Sequence, residues 1–200
     1  MTTPSLEDIP CVILCGGKSS RMGEDKSLLP FSSSNTLTQY QYEKLKKLFK
    51  NVYLSSKVDK FDFISKDELI LDKAKVYSPI AALHSIFTKI NSNKVFIITV
   101  DIPLVKLESI NRIISESNDY DIAVAKTTRV HNLCGVFKKD KLLALTNKML
   151  EEDFHKVGYL LQQVSTHYVE FSLEDEFINL NEKEEYERAL SIISKDNNSY

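Results

Sequence analysis

Short runs of consecutive apolar residues, each closed by glycine or a polar residue, alternate with stretches of helical periodicity, and this alternation narrows the fold more than any other feature. The runs are Cys11-Val12-Ile13-Leu14-Cys15, bounded by Pro10 and Gly16-Gly17, then Val52-Tyr53-Leu54, Leu69-Ile70-Leu71, Val95-Phe96-Ile97-Ile98 and Ile122-Ala123-Val124. Runs this short, with no polar alternation, read as strands buried on both faces. Helical spacing links Tyr42, Leu45, Leu48 and Phe49, then Ile80, Leu83, Phe87 and Ile90, then Leu107, Ile110, Ile113 and Ile114, and finally Tyr186, Ala189, Leu190 and Ile193. The opposite faces are rich in Lys and Glu and read as solvated. The expected fold is therefore a single α/β domain, a mostly parallel central sheet with helices on both faces. Residues 10–194 are expected to form it, with residues 1–9 and 195–200 as flexible ends.

Bulk properties remove several classes of function. A formal charge of −2, with lysines scattered among Asp and Glu, gives no basic patch for nucleic acid. Cys11, Cys15 and Cys134 have neither CxxC spacing nor an even count, so they read as reduced, buried thiols and not as a zinc site or disulfide framework. The longest apolar run is too short to cross a bilayer, and residues 1–10 lack a basic segment followed by an apolar one. A cytoplasmic location is expected.

In open parallel sheets, ligands bind outside the carboxyl ends of the strands. The residues that follow the apolar runs are Gly16-Gly17, Ser55-Ser56, Asp72 and Asp101. The loop Gly16-Gly17-Lys18-Ser19-Ser20-Arg21-Met22-Gly23-Glu24-Asp25-Lys26 has the outline of a phosphate cradle. Its glycines allow close backbone approach, Arg21 can grip phosphate oxygens in pairs, and Lys18 and Lys26 add mobile charge. Neither P-loop nor GxGxxG spacing is present. Asp101, ahead of the turn Ile102-Pro103, can hold Mg²⁺, which prefers one or two carboxylates plus phosphate oxygens and water. A loop or helix-capping role is the alternative for Asp101.

Leu14-Cys15-Gly16-Gly17, Arg21-Met22-Gly23 and Asp25-Lys26 together resemble the signature of the molybdenum cofactor guanylyltransferase family, whose pattern reads LAGG, RMG, DK. Related sugar-phosphate nucleotidyltransferases usually carry Pro-Lys in place of Asp25-Lys26. Thr99-Val100-Asp101-Ile102-Pro103 is similar to the family's CDxP, and Phe177-Ile178-Asn179-Leu180-Asn181-Glu182 to its FxNxNTPE. The resemblance implies a Rossmann-like domain of the nucleotide-diphospho-sugar transferase type. It implies nucleotide binding by Leu14, Cys15, Gly16, Gly17, Lys26, Ser55, Asp72 and Asp101, catalysis by Arg21, Lys26 and Asp101, and Mg²⁺ on Asp101. Asp72 falls on the family's guanine-contacting Asp, and an Asp can accept from both N1–H and the 2-amino group of guanine. An exposed loop acid is the alternative reading of Asp72. His131, His155, Lys156, Asn179 and Asn181 are candidates for the acceptor pocket, although such histidines are commonly ordinary core or surface residues and the two asparagines could cap the last helix.

The chain departs from the family where GPLAG becomes Ser78-Pro79-Ile80-Ala81-Ala82, with both glycines replaced, and where His131-Asn132-Leu133 lacks a Pro that the family often shows. The implied reaction moves GMP from GTP onto the terminal phosphate of molybdopterin, with Mg²⁺ as cofactor and pyrophosphate as by-product. Molybdoenzymes or their chaperones would receive the product. The alternatives are a cytidylyl- or sugar-phosphate transferase of the same fold, or a nucleotide-binding adaptor without turnover.

Overall fold

The structure is a computed structural model that describes residues 9–16, 25–72, 74 and 77–197. Among the described residues, seven strands form one sheet: β1 (Cys11–Leu14), β2 (Val52–Ser56), β3 (Leu69–Leu71), β4 (Lys94–Thr99), β5 (Ile122–Lys126), β6 (Val130–Lys138) and β7 (Thr166–Glu170). The helices are α1 (Leu37–Leu45), α2 (Pro79–Lys89), α3 (Leu107–Ser115), α4 (Lys139–Glu151), α5 (Val157–Gln162) and α6 (Lys183–Asn197). The spatial order of the strands is β3-β2-β1-β4-β6-β5-β7. All neighbouring pairs are parallel except those made by β6, which runs antiparallel to both β4 and β5. The expected mostly parallel α/β sheet is thus what forms.

The apolar runs become strands because each buries both faces. Cys11 and Ile13 of β1 join a core with Phe49, Phe96, Ile110, Ile113 and Ala189, while Val12 and Leu14 join a second core with Ile80, Leu83, Phe87, Leu142 and Met149. The first core is closed by α1, α3 and α6, the second by α2, α4 and α5. Each fully buried Leu, Ile or Phe contributes about 1.5–3 kcal/mol against the entropy of ordering the chain. The rings of Phe49 and Phe96 stack with centroids 5.4 Å apart. Leu48 and Phe49 lie beyond α1, which stops at Leu45. Both are held by amide bonds to the Leu45 carbonyl, so the helical spacing continues as turns. No helix among the described residues is long and apolar enough to cross a membrane.

Two features of the sheet matter for the site. The chain leaves β1 for β2 and β3 on one side, then returns to β4 on the other, so the strand order reverses between β1 and β4, the place where a crevice opens at the carboxyl ends. There Leu14 is in register with Ser55 on one neighbour and Thr99 on the other. On the far side of the sheet, β6 lies so close to β5 that a Cβ on Gly135 would sit 2.1 Å from the Ala123 carbonyl oxygen and 2.8 Å from the Val124 Cα. Gly135→Ala is therefore expected to destabilise the fold by about 3 kcal/mol, seen in thermal denaturation as a midpoint lower by roughly 6–12 °C for a chain of this size. An unchanged midpoint would mean that the β5–β6 ladder can separate at no cost.

Candidate active site

Two adjoining clefts occupy the crevice, sharing Leu14, Gly16 and Thr99 as their common wall. The larger, about 360 Å³, runs along β2 and the start of α2, and the smaller, about 240 Å³, lies between residues 25–27 and 99–101. A Cβ on Gly16 would meet no atom of the other described residues, its chain neighbours aside, within 4 Å, so the space it leaves belongs to the clefts. The neighbouring Cys15 thiol is pushed up to about 12 by burial, which keeps it protonated.

The smaller cleft gathers charge. Asp25 caps the 3₁₀ turn of residues 26–28, its Oδ1 accepting from the Ser27 amide at 3.1 Å and the Ser27 hydroxyl at 2.6 Å. Lys60 pairs with the same carboxylate. Burial alone would raise the Asp25 carboxyl, but the bonds from Lys60 and Ser27 outweigh it and hold the group below its usual range. The turn so fixed presents Lys26, whose Nζ lies 3.4 Å from Asp101 Oδ2 and donates to the Leu180 carbonyl and Asn181 Oδ1, both at 3.0 Å. The Leu180 amide in turn donates to the Asp101 carbonyl at 2.8 Å, so the segment before α6 is stitched to the end of β4. Residues 75 and 155 positions apart in sequence meet here.

The larger cleft is organised around a buried carboxylate. Asp72 is 5% exposed, not a solvated loop acid. Its Oδ2 pairs with Lys57 Nζ at 2.7 Å, and Oδ1 accepts from the Ala74 amide at 3.0 Å and the Ser85 hydroxyl at 3.2 Å. The Lys57 ammonium also donates to the Ala74 carbonyl and lies 5.0 Å from the centre of the Tyr77 ring. Ser55 is buried at the tip of β2, and its carbonyl accepts from the Cys15 amide at 2.8 Å, drawing the loop after β1 toward this cleft. Ser78 explains one lost glycine. Its backbone is extended, at φ −143°, and its hydroxyl accepts from the Ala81 amide while Pro79 opens α2, so the position asks for a helix cap and not for glycine's freedom.

Of the acceptor candidates, only Asn181 lines one of these clefts, and it does so beside Lys26. Asn179 lies one turn earlier, its carbonyl accepting from the Asn181 amide. Glu185 caps the start of α6 by accepting from the amides of Asn181 and Glu182, a role that neither asparagine side chain performs. His155 pairs with Asp153 at 2.8 Å, and Lys156 stands at the start of α5. His131 is buried, bonded to Thr127 at 3.0 Å with its ring against Phe177, and so belongs to the core. Burial, reinforced by Arg129, pushes its imidazole down from 6.5 to about 4. The unfolded chain takes up this proton first, so stability is expected to fall as pH drops through that interval. His131→Gln should flatten this part of the pH–stability curve, and an unaltered slope would assign the acid sensitivity elsewhere.

A family model for the MobA-like NTP transferase domain matches residues 11–175. The chain belongs to the MobA-like NTP transferase family. It is 45% identical to a molybdenum cofactor guanylyltransferase of Campylobacter jejuni over 93% of this chain and 97% of that one. It is 35% identical to the protein of the same name from Helicobacter pylori, over 98% of each. Among solved structures, molybdopterin-guanine dinucleotide biosynthesis protein A from Archaeoglobus fulgidus superposes with a TM-score of 0.79 at 18% identity, covering 94% of this chain and 100% of that one, which bears out the expected fold. As a MobA-like transferase the chain is a nucleotidyltransferase enzyme.

Gly17 and Arg21 of this MobA-like transferase, with the rest of residues 17–24, lie outside the described residues. A divalent cation fits what is described. Among those residues no three His, Cys, Asp or Glu side chains converge as a protein-only metal cage. The smaller cleft instead offers the Asp101 carboxylate beside Lys26, the donor set expected for Mg²⁺ held chiefly by substrate phosphates. Sequence reasoning missed Lys57, Lys60 and Tyr77. Lys57 was within reach of the rule already applied, since it directly follows Ser55-Ser56, whereas the reach of Lys60 to Asp25 depends on loop paths that no periodicity encodes.

Proposed function

We propose that this enzyme transfers GMP from GTP to the terminal phosphate of molybdopterin, releasing pyrophosphate. The observation that carries the reading is the pair of clefts joined through Leu14, Gly16 and Thr99, one walled by a buried carboxylate, the other by Lys26 and Asp101. A nucleotide laid across that wall has its base at Asp72 and its triphosphate at Lys26. The names of relatives at 45% and 35% identity support the same assignment. An oxygen of the acceptor phosphate attacks the α-phosphorus of GTP, the bond to the bridging oxygen of pyrophosphate breaks, and the electron pair leaves with pyrophosphate. The nucleophile is already ionised, so the protein's work is positioning and charge neutralisation. Lys26 stabilises the departing charge, and the family signature gives Arg21 the same role. Asp101 would hold Mg²⁺, which when bound neutralises phosphate charge as a Lewis acid.

Guanine is favoured over cytosine by Asp72, whose carboxylate can accept from two adjacent donors of guanine, with the Lys57 ammonium beside it to meet the exocyclic carbonyl oxygen. The reaction is placed in the cytoplasm, with hand-over of the product to molybdoenzymes or their chaperones. The experiment is transfer of label from α-labelled GTP, and separately CTP, onto molybdenum-loaded molybdopterin with Mg²⁺ present. Transfer from GTP alone is the expected result. A preference for CTP would make the enzyme a cytidylyltransferase, and nucleotide binding with no transfer would make it an adaptor.

A further inference from the structure

Helix α1 carries a stripe of polar residues at three-residue spacing, Thr38, Gln41 and the half-buried Lys44, that is turned toward protein. Thr38 and Gln41 are both fully buried. The Thr38 hydroxyl donates to the Ser27 carbonyl at 2.7 Å, one residue from Lys26. Gln41 Nε2 donates to the Thr99 carbonyl at 3.2 Å, two residues before Asp101. Lys44 Nζ donates to the carbonyls of Pro103 and, at 2.8 Å, Val105, just beyond it. One helix thus holds the main chain on both sides of the Lys26–Asp101 gap.

Stability is a poor account of this stripe. Gln41 Oε1 is buried with no hydrogen-bond partner among the described residues, and burial drives the Lys44 ammonium down to about 8. Half-satisfied amides and desolvated cations cost stability, and apolar side chains of similar volume would fill the same space more cheaply. What the stripe provides is placement. The chain from Val100 to Lys106 belongs to no helix or strand, and within it the Pro103 and Val105 carbonyls take the Lys44 ammonium as partner, while Gln41 holds the Thr99 carbonyl at the end of β4. Phosphoryl transfer depends on in-line geometry and tolerates little displacement of the groups around it.

We infer that Gln41 and Lys44 are positioning residues for the transfer reaction, acting through the main chain to fix Asp101 opposite Lys26. The inference rests on the transfer reading above. Gln41→Met and Lys44→Met, each in the full chain, are expected to lower kcat by about tenfold to a hundredfold, the loss typical of an ångström's misplacement, while KM for GTP stays within about twofold because neither substitution touches Asp72 or Lys57, the groups proposed to meet the base. Calorimetric titration should show metal-free GTP binding preserved and the gain in affinity conferred by Mg²⁺ diminished. Combining Gln41→Met with Asp101→Asn should cost no more than Asp101→Asn alone, since residues that act through one another are not additive. Full additivity, or wild-type kcat in both single variants, would overturn the inference. Should Gln41→Met fail to fold, Lys44→Met and its own combination with Asp101→Asn decide the question in the same way. A wild-type chain that transfers no GMP removes the transfer reading and this inference with it. A wild-type chain that transfers, with unaffected variants, removes the brace alone.

Discussion

Lys26→Ala is expected to lower guanylyl transfer by about three orders of magnitude, the scale on which single charged or oxyanion-type donors act in closed sites. The residue is only 17% exposed, and its ammonium faces Asp101, Asn181 and the Leu180 carbonyl. That arrangement holds the cation at the mouth of the smaller cleft before any nucleotide arrives, so little reorganisation accompanies the reaction. The fold should survive the change, because the 3₁₀ turn is secured by Asp25 and by the Thr38 bond to Ser27, neither of which uses the Lys26 side chain. Steady-state rates at saturating GTP, with circular dichroism on the same samples, decide the matter. Turnover within tenfold of wild type would reduce Lys26 to a tie for the segment before α6.

Asp101→Asn is the second large effect, and it separates charge from shape. The amide keeps the size of the side chain, and the main-chain bond from Leu180 to the Asp101 carbonyl is unaffected, so the stitched loops should remain in place. What disappears is the negative charge that a hard divalent cation requires. Turnover should fall by about a hundredfold or more, in keeping with the loss of one electrostatic contributor, and the response of the residual rate to added Mg²⁺ should shift to much higher concentrations. An undiminished rate with an unaltered Mg²⁺ response would take Asp101 out of the metal site and leave it a helix-and-loop acid.

The parts of this fold legible in the sequence are those where one physical demand dominates. β1 to β5 set apolar residues against both cores, with Leu71 at the end of β3 exposed, so the demand for apolar residues dominates and the runs stand out. β7 does not: four of its residues, Thr166, His167, Tyr168 and Glu170, are at least partly exposed at the sheet edge, and the strand hides among polar residues. The antiparallel sense of β6 is likewise silent, since residues buried against two neighbours look alike in either direction. In the site, Gly16, Ser55, Asp72 and Asp101 are legible as candidates because ligands gather at strand ends, and Lys26 because it closes the basic loop after the first strand; all five line the two clefts. The Lys57–Asp72 pair and the Asn181–Lys26 bond are not legible, because nothing local encodes partners so far apart. On α1 the Lys- and Glu-rich face read as solvated, yet Gln41 and Lys44 point inward to main-chain carbonyls. Polarity marked the face correctly as non-core and concealed that loops, not water, cover it.

The two clefts share a wall but draw their remaining residues from different stretches of chain. Among the described residues, and apart from Leu133, the far side of the larger cleft comes from residues 55–82, whereas the smaller cleft takes its charged groups from residues 25–27, 100–101 and 181. On the function proposed above, which nucleotide is accepted and what is done to it are written in separate passages of the gene. A lineage could trade the stretch from β2 to α2 for another and change its donor while its chemistry went on unaltered, a modularity that a single fused pocket would not permit.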